Sequence, residues 1–137
     1  MKLTRQAKVN KQVQDHLCAT HIVEYHLMQA DGADINLTLS PTVVATVWVF
    51  NQSGTSGTTL PRMKVCNTPG RFSMKNNFVI TIDPVAPVVV VGQSAYSADE
   101  MQALCKWIMT NYDQLVRYWN EEYTADPRPF FIALKYL

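Results

Sequence analysis

Three observations predict an α+β fold. Apolar and polar residues alternate on both sides of an Asp-Gly pair early in the chain, and β-branched runs punctuated by Pro and Gly fill its middle. From Ser97 onward, apolar residues recur at spacings of three and four behind a helix-capping sequence. Together they describe a mainly antiparallel sheet of five or six strands with one long C-terminal amphipathic helix packed on one face. The chain has 137 residues, the usual size of one domain and enough to bury a core without disulfide or metal staples, so residues 1–137 form a single α+β domain.

The elements follow in order. Residues 1–16 make an arm carrying Lys2, Arg5, Lys8 and Lys11. Its apolar positions Leu3, Ala7 and Val13 fit a helical stripe only loosely, which leaves a basic arm that is either helical or extended. Residues 22–28 and 35–39 then alternate about Asp31-Gly32, the strongest short-range signal for a β-hairpin. After Pro41, residues 42–50 are rich in Val, Thr, Trp and Phe and form a third, central strand. Residues 52–59 are a polar Ser/Thr/Gly loop. Arg62 and Lys64 alternate with Met63 and Val65, which puts two cations on one face of a short strand and two apolar groups on the other. Asn67-Thr68-Pro69-Gly70 is turn chemistry. Residues 78–82 and 88–91 complete the sheet, and the apolar run 85–91, interrupted by Pro87, reads as a buried strand.

Ser97 and Glu100 form a capping box, in which the serine oxygen accepts an orphan backbone N–H and the glutamate reaches back to the serine N–H. The helix that starts there is expected over residues 97–123. Met101, Leu104, Ile108, Tyr112, Leu115 and Trp119 make its apolar stripe, with Trp107 and Tyr118 beside the stripe or off it. Asp126-Pro127-Arg128-Pro129 ends the helix, and residues 130–134 return as an edge strand or pack as a tail.

Composition excludes several classes. With 47% hydrophobic and 17% charged residues the chain is neither disordered nor membrane-spanning, since no stretch approaches the roughly 20 apolar residues a bilayer requires. The N-terminal cations are followed by no continuous apolar segment, which argues against a secretory signal and for a cytoplasmic protein. Cys18, Cys66 and Cys105 are widely spaced and lack a C-x-x-C pair, so reduced thiols are expected instead of a disulfide framework or zinc ribbon. The triplets starting at Asn36 and Asn51 match the glycosylation pattern, but that modification needs a secreted context. The net charge of +1 divides into +4 over residues 1–77 and −3 over residues 78–137. Such a dipole orients a partner without specifying nucleic acid.

Catalytic and metal signatures are weak. His16, His21 and His26 recur every five residues, a spacing that no regular element brings to one point. Glu24 and His26 share a strand face, so a metal site built on His21, Glu24 and His26 needs a ligand from elsewhere. The loop Gly54-Thr55-Ser56-Gly57 follows a strand but lacks a Gly-Lys-Ser/Thr ending and leads into another strand, against phosphate binding. No Gly-x-Ser-x-Gly elbow surrounds a serine. No metal or cofactor is assigned, and the reading leans away from an enzyme.

Two binding surfaces remain. Trp107 and Tyr118, next to Glu121 and Glu122, are candidate contacts for a protein partner or a second copy of the chain, because rigidly held aromatics left exposed are the usual makings of a hot spot. Arg62, Lys64, Arg71 and Lys75, with Phe72 and amides interleaved, are the candidate nucleic-acid contacts.

With Lys106-Trp107-Ile108, Tyr112-Asp113-Gln114-Leu115 and Tyr118-Trp119-Asn120, residues 97–137 resemble a family of small bacterial, plasmid and prophage proteins classed as a domain of unknown function. Its members show a β-rich first part, a helix of the form Trp-Ile-x-x-x-x-x-x-x-Leu-x-x-x-Trp and a short apolar strand. The resemblance implies a mobile-element context, sometimes of toxin–antitoxin type, and carries over no catalytic residue. The expectation is therefore a small non-enzymatic phage or mobile-element protein that binds and modulates a host or partner protein, inhibitor or antitoxin-like. Nucleic-acid binding through the basic residues is the alternative, and a metal-dependent enzyme the second.

Overall fold

The computed structural model describes residues 22–29, 32–40, 43–51, 60–70, 75–123 and 128–135. The arm at 1–16, Cys18, His21, Asp31, the loop at 52–59, Arg71 and Phe72 lie outside the described residues.

Six strands form one antiparallel sheet in the order of the sequence, a meander. They are β1 (Ile22–Gln29), β2 (Gly32–Ser40), β3 (Val43–Phe50), β4 (Arg62–Cys66), β5 (Asn77–Thr81) and β6 (Val89–Val91). Each strand pairs with the one before it because short turns suffice for antiparallel neighbours. Register sorts the two faces. Ile35, Val47, Val65 and Phe78 lie in one cross-strand row, and Trp48, Lys64, Val79 and Val91 in the next, which faces the other way. The first row, with Leu37, Ala45, Met63 and Ile80, is the core face. The expected split of β4 holds: Met63 and Val65 are fully buried, while Arg62 and Lys64 are half-buried.

β3 and β4 share only two register pairs, Val47 with Val65 and Trp48 with Lys64. The turn after β4 replaces the missing ladder. The Gly70 N–H donates to Thr46 Oγ1 at 2.6 Å, and that hydroxyl donates to Asn36 Oδ1 at 2.5 Å. Thr46 is thereby buried with both its donor and its acceptor satisfied. Asn67 fastens the same turn to the segment after β6, with Nδ2 donating to the Gln93 carbonyl at 3.1 Å and Oδ1 accepting from the Ala95 N–H at 2.7 Å. Gly92, at φ +79°, makes the exit from β6, and a Cβ there would stand 2.9 Å from the Asn77 carbonyl oxygen.

The capping box forms: Ser97 Oγ accepts the Glu100 N–H at 3.1 Å, and Glu100 Oε1 accepts the Ser97 N–H at 2.7 Å. The expected single helix is instead two, α1 (Ala98–Thr110) and α2 (Tyr112–Trp119), divided at Asn111. Asn111 is 1% exposed. Its Nδ2 donates to the Trp107 carbonyl at 3.0 Å, which already accepts the Asn111 N–H, and to the Lys135 carbonyl at 3.2 Å; its Oδ1 accepts the Lys135 N–H at 2.6 Å. A side chain that bonds back to the carbonyl four residues earlier competes with the backbone ladder and bends a helix. Here the same amide also ties down the end of the chain.

α2 ends in a Schellman motif. The Glu121 N–H donates to the Tyr118 carbonyl at 3.0 Å and the Glu122 N–H to the Arg117 carbonyl at 2.9 Å. This places Glu121 at φ 61°, where glycine is the usual occupant. Of the two courses open to residues 130–134, the edge strand does not form and the segment packs on the core, as a helix. Arg128–Ala133 is a short helix, α3, whose Phe130 and Phe131 are fully buried. Pro129 in its first turn forfeits an N–H that has no intrahelical partner there.

Candidate functional site

The structure moves the two aromatic contacts into the core. Trp107 is 0% and Tyr118 is 7% exposed. The buried positions Leu104, Trp107, Ile108, Asn111, Leu115 and Tyr118 fall within about 60° either side of one line at ~100° per residue. The stripe is therefore rotated from the one drawn through Met101 and Tyr112, both of them half-buried. α3 supplies the cover that the sheet does not. Tyr118 sits 4.5 Å from Phe130 between ring centroids, Tyr123 lies 5.2 Å from Phe130, and Phe130 and Phe131 are 5.6 Å apart. Trp119 is buried as expected, with its ring 5.8 Å from Phe50. Glu121 and Glu122 do stand exposed, and Glu122 faces Arg117 at 3.4 Å. That exposed pair adds little stability.

The basic residues are only partly gathered. Arg62 and Lys64 share the face of β4 opposite Met63 and Val65. Lys64 Nζ lies 5.0 Å from the Trp48 ring centroid and 6.0 Å from that of Phe50, a cation–π contact that occupies the indole face. Lys75 is exposed beyond the opposite end of β4, so the length of that strand, about 13 Å, separates it from Arg62 before the turn is counted. Glu24 and His26 pair in register with Asn36 and Asp34. Among the described residues no group of three His, Cys, Asp or Glu comes together to hold a metal.

Buried titratable groups line the core edge. The Tyr96 hydroxyl is buried without a hydrogen-bond partner, and Tyr96 packs edge-on against Phe78 with centroids 5.5 Å apart. Desolvation, then Cys66 and Glu100, push its ionisation above the ordinary 10.0. Cys66 is buried, and Cys105 is half-buried with its thiol raised by burial; neither forms a disulfide among the described residues. Burial also raises Tyr123, whose hydroxyl donates to Gln114 Oε1.

The run expected to be buried is instead the exposed one. Val85 is 80%, Val88 52%, Val90 49% and Val91 54% exposed. β6 ends the sheet order, so no described strand covers its outer side. Consecutive residues Val79 and Ile80 pair with Val91 and Val89, leaving Val90 as the extra residue of a β-bulge. Val89 packs inward on the core while Val88 and Val91 lie on the other face. Sequence reading missed this site because a run of valines looks the same in a central strand and at an edge. The flanking Pro84 and Pro87 were its legible signal, since proline in a sheet is confined to edges and bulges.

No family model, curated protein or solved structure matches the chain. No described helix is long and apolar enough to cross a membrane.

Proposed function

We propose that this is a non-enzymatic binding protein that captures a partner protein through the β6 edge. One observation carries the reading: Val85, Val88, Val90 and Val91 form an exposed apolar strip at the end of the sheet. A strip of this kind on a soluble fold marks an interaction site more often than a lone exposed residue does. Asn67, Gly92 and the Thr81 contacts hold it rigid. A partner then binds without the entropic cost of ordering a loop. The inhibitor or antitoxin-like role in a mobile element rests on the resemblance of residues 97–137 alone.

The test is affinity capture from bacterial lysate with and without nuclease, comparing the wild-type chain with Val90→Lys. A protein retained by the first after nuclease treatment and lost by the second supports the reading. Equal capture by both rules out the edge.

A second reading, nucleic-acid binding, is favoured by Arg62 and Lys64 lying on one face beside Trp48. It requires affinity that falls steeply with salt, because phosphate contacts release counterions. It also requires Lys64 to leave the Trp48 ring before a base can stack there.

A further inference from the structure

We infer that the β6 edge takes a short extended segment of the partner as a seventh strand, with apolar residues at alternate positions and Lys or Arg at its flanks. The inference rests on the edge-binding reading above and specifies its mode. Backbone geometry comes first. The Thr81 N–H donates to the Val88 carbonyl at 2.9 Å, and the Val88 N–H donates to Thr81 Oγ1 at 2.9 Å, so Val88 turns both its polar groups toward β5. Alternation along a strand then directs the N–H and C=O of Val89 outward, to the open edge. An added strand meets a donor and an acceptor at Val89, flanked by the side chains of Val88 and Val91.

Size and charge decide between a peptide segment and a second copy. A standard interface uses roughly 20–30 residues a side, whereas β6 spans three residues and ends in a bulge. Its brevity and its flanking prolines guard against indiscriminate sheet extension and suit a short ligand strand. Residues 76–105 contain Asp83, Asp99 and Glu100 and no Lys or Arg. Asp83 precedes β6, its Oδ2 accepting the Ala86 N–H at 3.2 Å, and Asp99 opens the helix that follows. Antiparallel pairing of two copies would set the Asp83 end of one β6 beside the Asp99 end of the other, like charge against like. Lys75 and Lys106 are the bases nearest in sequence. Across the sheet Arg62 and Lys64 stand two strands in, paired with Thr81 and Val79, and Lys64 turns away from β6 to the Trp48 and Phe50 rings, so the acids alone flank the two ends of the strand. A partner with basic flanks meets the opposite sign.

The experiment selects from a displayed library of short random peptides on the full chain and measures binding of the enriched peptides, made synthetically, to variants. The expected peptides alternate apolar and polar residues and carry Lys or Arg. Their affinity falls at least about tenfold with Val89→Pro, which removes the outward N–H, and likewise with Val91→Lys. Thermal midpoints measured alongside show that both variants fold. Loss of affinity with Val91→Lys and Val88→Lys but not with Val89→Pro overturns strand addition and leaves edge binding standing. Peptides indifferent to all three variants, or no enrichment, overturn both. A concentration-dependent dimer that Val90→Lys dissolves overturns the peptide segment in favour of a second copy.

Discussion

The aromatic helix and the valine run of β6 exchange the roles their compositions suggest. Residues 107–123 carry more aromatic surface than one sheet face can cover, yet Trp107, Tyr118 and Trp119 are buried. Residues 85–91 are almost wholly aliphatic, yet four of their valines face solvent. Topology makes the difference. α2 is closed on its far side by α3, pinned through Asn111, whereas β6 is the last strand of a meander and no described strand pairs with its outer side. Hydrophobicity sets what would gain by burial; the position of an element in the sheet order decides whether it is buried.

The comparison breaks most visibly at Trp107. Replacing it with Ala should cost about 3–5 kcal/mol of unfolding free energy, read by urea denaturation. A change under about 1 kcal/mol would return the ring to the surface. Asn111→Ala should cost about 1–3 kcal/mol, because it strands the Lys135 N–H and releases the chain end from the helix junction. Amide exchange in α3 should rise with it. Val90→Lys sharpens the other half: unfolding free energy should stay within about 0.5 kcal/mol of wild type while partner capture is lost. Glu121→Gly should stabilise by about 1 kcal/mol, since it relieves a left-handed residue at the Schellman position.

A pH dependence follows from Tyr96. Its hydroxyl stays protonated in the folded chain above the ordinary 10.0, while the unfolded chain loses that proton near 10. Above that pH the folded state binds more protons than the unfolded one, so stability should be fully present below about pH 10 and fall as pH rises through the folded value. Tyr96→Phe should flatten the decline in an alkaline denaturation series. At pH 7 it should be close to neutral, because the buried hydroxyl has no partner to lose.

Much of the fold was legible. The Asp-Gly hairpin, the β4 alternation and the Ser97–Glu100 capping box are local signals, and local hydrogen bonding decides them. What stayed hidden depends on contacts far apart in sequence. Asn111 looks like an ordinary polar helix residue until Lys135, 24 positions on, reaches it. Trp107 and Tyr118 look like surplus aromatics until α3 folds back over Tyr118. The exposure of Val88, Val90 and Val91 reflects strand order, which pairwise alternation does not encode. Of the candidate contacts, Arg62, Lys64, Glu121 and Glu122 were placed at or near the surface by their own chemistry. The apolar ones could not be placed that way.

The most direct test is native-state amide hydrogen exchange on the isolated chain, comparing Val89 with Thr81 and Trp107. The Val89 N–H should exchange fast, because it points to an open edge. Thr81, bonded across the β5–β6 pair, and Trp107, inside α1, should be slow. A Val89 amide as protected as that of Thr81 would mean the edge is already covered, and would contradict the account of β6 as the binding surface.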